Sequence, residues 1–169
     1  MSTARSRAWS GAAPDAVVVV GVHPDQDLRV LDAASDLAAR LDHGLVAVWV
    51  DPTRRVVRRE TDGTLDLTPI DPDDDDSLGQ VAAADELADR IGLRLGDGRP
   101  VWRFVYSAGE IATELAAVSG QYAAAYVVVG SRRPGLTGWM NEAIGGSVAG
   151  RLAHTQSHPV VVVPLAPTR

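Results

Sequence analysis

The chain has no cysteine and no lysine. Without cysteine, thiol catalysis, a disulfide framework, iron–sulfur clusters and thiolate zinc sites are excluded. All 16 cationic side chains are arginine, which excludes Schiff-base chemistry, attachment of pyridoxal phosphate and the lysine of a Walker phosphate loop. Aromatic residues make up only 5% of the chain, so the core has to be built from Val, Ala and Leu. Long apolar runs are missing: no segment approaches the roughly 20 residues that span a bilayer. The leading MSTARSRAWSGAAPD carries arginines but no following apolar run of signal-peptide length, so a cytoplasmic address without membrane contact is expected. Positive charge is also short. A net charge of -6 makes long duplex nucleic acid an unsuitable partner, because binding it rests on many cationic contacts to phosphate.

What is present fits one domain, since 169 residues give a sizeable core and no room for two comfortable ones. Residues 1–15 read as a disordered lead-in, and 16–165 as the domain. Ala16–Val22, Leu45–Val50, Val101–Tyr106, Ala125–Val129 and Val160–Val163 are apolar runs of the kind shown by strands covered on both faces. Between them lie amphipathic helical segments. Asp27 is expected to cap the first, which His43-Gly44 stops. Ser77 with Gln80, and Ser107 with Glu110, have the spacing of capping boxes for the next two, closed by Gly92 and Gly120. Alternating strands and helices predict an α/β fold: a five-stranded parallel sheet with helices on both faces. One insertion breaks the alternation. Arg54–Glu60 and Thr64–Ile70 flank Asp62-Gly63, a pair suited to a type I' turn, and predict a β-hairpin over 54–70. Arginines on both faces of its first strand place it at an edge or projecting from the body. The acidic run Asp71–Asp76 follows as a solvated linker; it lacks the glycine and glutamate that a calcium loop requires.

Two other constellations invite chemistry and lack a component. Asp51, ending the second strand, could be a phosphorylated aspartate of a receiver domain, but that site needs a lysine. His154 and His158 have the i, i+4 spacing of helical metal ligands. Pro159 disfavours helical geometry at His158, and no third ligand is evident, so no metal site is expected.

The most informative stretch is Tyr126–Pro164, YVVVGSRRPGLTGWMNEAIGGSVAGRLAHTQSHPVVVVP. A buried strand leads through a glycine-rich loop with two arginines to a helix beginning near Gly146-Ser147, then to a valine-rich strand. Such a unit aims backbone N–H groups and the positive end of a helix dipole at one spot, which suits an anion. Gly130 to Thr137 has Walker spacing, yet Leu136 stands where lysine is needed. On spacing alone the loop is a connector between strand and helix.

This stretch resembles the carboxyl-terminal signature of the universal stress proteins: a strand ending in glycine, a glycine-containing loop, Gly-Ser at a helix start, then His-x-Pro-Val before the last strand. The resemblance extends over Ala16–Pro164 through the order of elements and is sharp in the last third. It implies strand order 3-2-1-4-5, cytoplasmic residence, a homodimer and, in many members, bound ATP. Nucleotide-binding positions carried across are Val22, His23, Val48, Val129, Gly130, Ser131, Arg132, Arg133, Gly135, Gly146, Ser147 and Val148. Adenosine would lie between the ends of the first and fourth strands, with phosphates near Gly146, Ser147 and the arginines.

Two departures stand out. Arg133 occupies the second glycine position of the family's loop, with Gly135 displaced by two places, and His23 occupies the position of the family's aspartate after the first strand. Arg132 and Arg133 either pair with phosphate oxygens or form a solvated loop pair. His23 either hydrogen-bonds a ribose or base or serves as a turn residue before Pro24. The resemblance leaves ATP, ADP and AMP undistinguished and says nothing of a divalent metal. The expected role is an adenine-nucleotide-binding regulator of a stress response; the alternative is a dimeric interaction module with a degenerate site that binds no nucleotide. Slow ATP hydrolysis stays open, with no general base or metal-ligand cluster to carry it. The apolar Val160, Val161, Val162 and Val163 would form an edge strand, and pairing with a second copy is the natural cover for such an edge.

Overall fold

The valine-rich runs form a five-stranded parallel sheet in the computed structural model, which describes residues 2–60, 64–71, 73, 77–131 and 148–165. The chain opens with β1 (Ser2–Arg5), β2 (Val17–Gly21), α1 (Arg29–Arg40) and β3 (Gly44–Asp51). The inserted β4 (Arg54–Arg59) and β5 (Thr64–Pro69) come next, then α2 (Ser77–Leu95) and β6 (Trp102–Ala108). The last third holds α3 (Ile111–Gln121), β7 (Tyr126–Gly130), α4 (Val148–Thr155) and β8 (Val160–Val163). The main sheet runs β6-β3-β2-β7-β8, the expected order, and a smaller antiparallel sheet runs β1-β5-β4.

Burial on both faces explains the unbroken apolar runs. Val18 and Val20 of β2, with Leu45, Ala47 and Trp49 of β3, face a layer made by Val30, Leu31 and Ala34 of α1 and by Leu87, Ala88 and Ile91 of α2. Their neighbours Val17, Val19, Val46, Val48 and Val50 face Ala112, Leu115 and Val118 of α3 and Leu152 of α4. Period-two alternation therefore sorts apolar residues between two cores.

Helix ends differ locally from the spacing-based expectation. The Asp27 carboxylate accepts from Arg29 N–H at 2.9 Å, while the N-cap position is Leu28. Glu110 is itself the N-cap of α3, accepting from Ala112 and Thr113 N–H, and the Ser107 hydroxyl instead reaches Glu114 at 2.6 Å. The cap thus acts three residues later than the Ser-x-x-Glu reading. Helix α2 continues past Gly92 to Leu95, and Gly96, with φ of +65°, takes the left-handed conformation beyond its end. The expected Asp62-Gly63 turn, and most of the acidic run, lie outside the described residues.

The lead-in corrects the expectation of disorder. β1 pairs with β5, Ser2 opposite Leu67 through Arg5 opposite Thr64. Residues 6–10 then run along the outer edge of β6. Arg7 N–H donates to the Phe104 carbonyl at 2.9 Å and Ser10 N–H to the Trp102 carbonyl at 2.8 Å. Trp102 N–H donates to the Ser10 hydroxyl at 3.0 Å, and Tyr106 N–H to that of Ser6 at 3.2 Å. Arg7 adds an ion pair to Asp89 on α2 at 2.6 Å. Small polar residues without periodicity look disordered in isolation; an open sheet edge supplies the template they lack. The hairpin lies at this same edge of the main sheet, with Leu65 and Leu67 buried in the core.

Deleting residues 1–10 should lower unfolding stability by roughly 2–4 kcal/mol, because several backbone hydrogen bonds worth about 0.5–1.5 kcal/mol each are lost, and should raise self-association through the uncovered edge. Urea denaturation and light scattering check both effects; unchanged values would leave the arm without a structural role.

Candidate functional site

β2 lies between β3 and β7 and is parallel to both. The chain leaves β2 toward one face through α1 and arrives at β7 from the other face through α3, so the connections diverge at the carboxyl end of β2. A crevice opens at such a switch point. Gly21, Val22, Gln26, Val48, Val129 and Gly130 line it with His23, Val50, Ile111, Leu115 and Val148, around a hollow of about 50 Å³.

Each lining residue is there for a local reason. Val48 and Val50 are two apart on β3 and share a face. Ile111 and Leu115 are one turn apart at the start of α3, whose position is set by the Glu110 cap. Burial alone would raise the Glu110 pKa; hydrogen bonds from the Thr113 hydroxyl and from the Thr113 and Ala112 N–H groups, with Arg151 nearby, hold it below its ordinary value. Arg151 pairs with Glu110 at 3.1 Å, tying α4, and with it Val148, to the opening turn of α3. Packing is close at the end of β7, where any side chain would make its neighbours shift. A Cβ on Gly130 would stand 2.6 Å from Gln26 Nε2 and 3.1 Å from Val30 Cγ2.

His23 belongs to the hollow and to a buried polar group behind it. Its Nδ1 accepts from Asp25 N–H at 3.2 Å, which assigns the neutral ring's proton to Nε2. Its ring meets Trp49 edge-on at 6.2 Å, and Trp49 meets Tyr106 edge-on at 5.2 Å. The Tyr106 hydroxyl donates to Asp51 at 2.8 Å. Asp51 also accepts from the Thr53 N–H at 2.9 Å and hydroxyl at 2.7 Å, so this buried carboxylate fixes the base of the hairpin. Arg54, fully buried, comes next in the chain. Burial, then the charge and hydrogen bond of Asp51, push the Tyr106 hydroxyl pKa well up, with Arg54 opposing. Asp51 is thus committed to holding structure, which fits the sequence-based rejection of a phosphorylated aspartate.

Of the expected nucleotide positions, the structure gathers Val22, His23, Val48, Val129, Gly130 and Val148 around the hollow. Ser131 turns elsewhere: its N–H donates to the Val163 carbonyl at 2.7 Å and its hydroxyl accepts from Leu165 N–H at 2.8 Å. Arg132, Arg133, Gly135, Gly146 and Ser147 lie outside the described residues. Sequence reasoning missed Gly21, Gln26, Val50, Ile111 and Leu115. Val50 was available from its period-two relation to Val48; Gln26 carried no signal. His154 lies in the last turn of α4, which ends at Thr155, and His158 follows the helix. Among the described residues no three potential ligands gather to hold a metal ion.

A larger hollow of about 480 Å³ lies at the opposite end of the sheet, walled by Pro14, Asp15, His43 and the ion pair of Asp42 with Arg99. The small crevice is the better candidate despite its size. It sits at the switch point, and its walls are apolar side chains with a few polar groups, the pattern of ligand sites.

Comparison with known proteins adds to this geometry. A model of the universal stress protein family matches residues 16–164. No curated protein matches the chain. Among solved structures, a universal stress protein family member from Burkholderia pseudomallei superimposes with a TM-score of 0.61 at 20% identity, over 89% of this chain and 96% of the other. A universal stress protein in complex with cAMP gives 0.58 at 21% identity, over 88% and 96%. The universal stress protein from Archaeoglobus fulgidus in complex with dAMP gives 0.54 at 16% identity, over 87% and 96%. At such identities the superpositions establish a shared fold.

The site makes one pH-dependent expectation. Burial lowers the His23 pKa below its ordinary 6.5, against the opposing charges of Asp25 and Asp51. The unfolded chain therefore binds this proton more readily, and stability is lost as pH falls from about 6.5 through the lower folded value. His23→Asn should flatten the fall in melting temperature between about pH 7 and pH 5; parallel curves for variant and parent would show that another group carries the dependence.

Proposed function

The chain belongs to the universal stress protein family, and from that premise we propose that it is a cytoplasmic regulator that binds an adenine nucleotide at the crevice. The observation that carries this reading is the meeting of Gly21, Val22 and His23 with Val129, Gly130 and Val148 at the switch point of the sheet, where open α/β sheets take ligands. Related folds from other proteins were determined with cAMP and with dAMP, which supports an adenine-containing ligand. The apolar walls receive the base. His23, a neutral ring with a proton on Nε2, supplies polar contact toward the base or ribose in place of the family's aspartate. Phosphate falls to Gly146, Ser147 and Arg132, residues whose types suit an anion: backbone N–H groups, a hydroxyl and a guanidinium.

The size of the hollow favours a second reading. A hollow of about 50 Å³ is well below the roughly 300 Å³ at which ligand pockets begin, as expected of an interaction module whose site is degenerate. The readings separate by thermal shift with ATP, ADP, AMP and cAMP. The binder gains melting temperature with at least one, by about 2.7 kcal/mol of stability at a ligand concentration of about 100 Kd, and Ser147→Ala or Arg132→Ala reduces the gain for phosphate-bearing ligands. No shift with any adenine nucleotide would establish the empty module.

In either case the chain acts as a homodimer through β8. β6 is covered by residues 6–10, whereas β8 pairs only with β7 among the described residues. Its Val162 is 47% exposed. An apolar uncovered edge calls for a partner, and a second copy closes it by two-fold symmetry. Val162→Asp, which spares the inward-packed Val161 and Val163, should convert dimer to monomer in sedimentation with little change in circular dichroism. A parent protein that sediments as a monomer would refute the assembly.

A further inference from the structure

A purine has apolar faces and polar edges, on which hydrogen-bond donors and acceptors stand side by side. Walls that cover only the faces hold any base. A site that also meets an edge chooses among bases, because a polar atom left unmatched inside it is costly. The crevice supplies the walls through Val48, Val50, Leu115 and Val129. Among the side chains lining it, only His23 and Gln26 carry polar atoms.

His23 already spends Nδ1 on the Asp25 N–H and sets its ring against Trp49. Gln26 has a fixed backbone and an uncommitted amide. Its N–H donates to the His23 carbonyl at 3.0 Å. On one side of it, Arg90 reaches from α2 to the Pro24 carbonyl at 2.7 Å; on the other, the Asp27 carboxylate accepts from Arg29 N–H at 2.9 Å. The turn is therefore pinned. The Gln26 carboxamide, by contrast, makes no hydrogen bond with a described residue, although the residue is half-buried. It rests over the end of β7, where a Cβ on Gly130 would stand 2.6 Å from its Nε2. A donor and an acceptor presented on a pinned turn cost little to order on binding.

We infer that Gln26 determines which base the crevice accepts, its Oε1 accepting from the 6-amino group of adenine and its Nε2 donating to N7. This rests on the adenine-nucleotide reading of the crevice and adds to it the residue that selects the base. On the N7 edge adenine presents a donor beside an acceptor, which a carboxamide meets with both of its atoms. Guanine and hypoxanthine present two acceptors there, O6 and N7, so the amide oxygen is opposed whichever way the amide is turned. The N1 edge offers no such choice. An amide can turn over to suit either the amino group with N1 of adenine or O6 with the N1–H of guanine. A carboxamide that selects adenine therefore acts on the N7 edge.

Isothermal titration calorimetry of the full chain with ATP, ITP and 7-deaza-ATP, in which a C–H replaces N7, tests the assignment. The parent should bind ATP about tenfold more tightly than either analogue, the scale of one bidentate pair. Gln26→Leu should bind ATP and 7-deaza-ATP alike. Gln26→Glu keeps an acceptor for the 6-amino group but sets a second acceptor against N7, so it should reverse the preference and favour 7-deaza-ATP; a merely loosened turn would not produce a reversal. The assignment is overturned, with the nucleotide reading intact, if the parent binds ATP no better than 7-deaza-ATP or ITP, or if Gln26→Leu keeps the parent's preference for ATP over 7-deaza-ATP. A parent that binds no adenine nucleotide overturns the nucleotide reading and the assignment with it.

Discussion

The structure depends on one strand being hydrogen-bonded in parallel on both sides. β2 contributes four residues buried to within 2% of complete exclusion, Val17 to Val20, and its register with β3 and β7 leaves no room for slippage, because a one-residue shift would exchange the two cores that its alternating side chains serve. Helices then have to cover both faces. Since the chain departs from β2 on one face and approaches β7 on the other, the loops after these strands separate, and a crevice follows from topology before any side chain is chosen. The side chains decide only how much of it stays open, and here Val22, Val129, Leu115 and Gln26 leave little.

A parallel sheet also has two ends, and this chain treats them differently. At β6 the backbone groups facing outward are occupied from within the chain, by residues that come before the first main strand. The hairpin supports this by giving β1 a strand to pair with. At β8 the described residues supply nothing equivalent. The asymmetry separates the surfaces of the molecule: an internally sealed end with a charged hairpin beside it, and an apolar end suited to a symmetric contact. The polar group of Asp51, Tyr106 and Thr53 belongs to the sealed end, yet it connects to the crevice through the edge-on rings of Trp49 and His23.

The parallel sheet and its covering helices were legible in the sequence because they rest on redundancy, whereas the strand order came from the family resemblance. Each strand is a run of several apolar residues, and each helix repeats its inward positions. Hairpin strands at Arg54 and Thr64 were legible for the same reason. What escaped rests on single residues or on distant pairing. Burial of Arg54 is invisible when arginines occupy both faces of its strand. The Ser107 and Glu110 spacing satisfied a local rule that the tertiary position of Glu114 overrode. Gln26 reaches the crevice only because Gly130 lacks a side chain. Family likeness supplied positions at the crevice that spacing alone left as a connector, and it gave no warning that Ser131 turns toward Leu165.

The amino-terminal arm has a consequence for how the molecule is made. Its partners are 92 and 100 positions away, Trp102 for Ser10 and Tyr106 for Ser6. These residues are therefore among the last of the described chain to find their place, since closing so long a loop carries an entropic cost that only an already assembled sheet offsets. Before the arm docks, the outer edge of β6 is bare. Until the arm docks, that edge is open to strand addition by another chain, and its docking closes this route to misassembly.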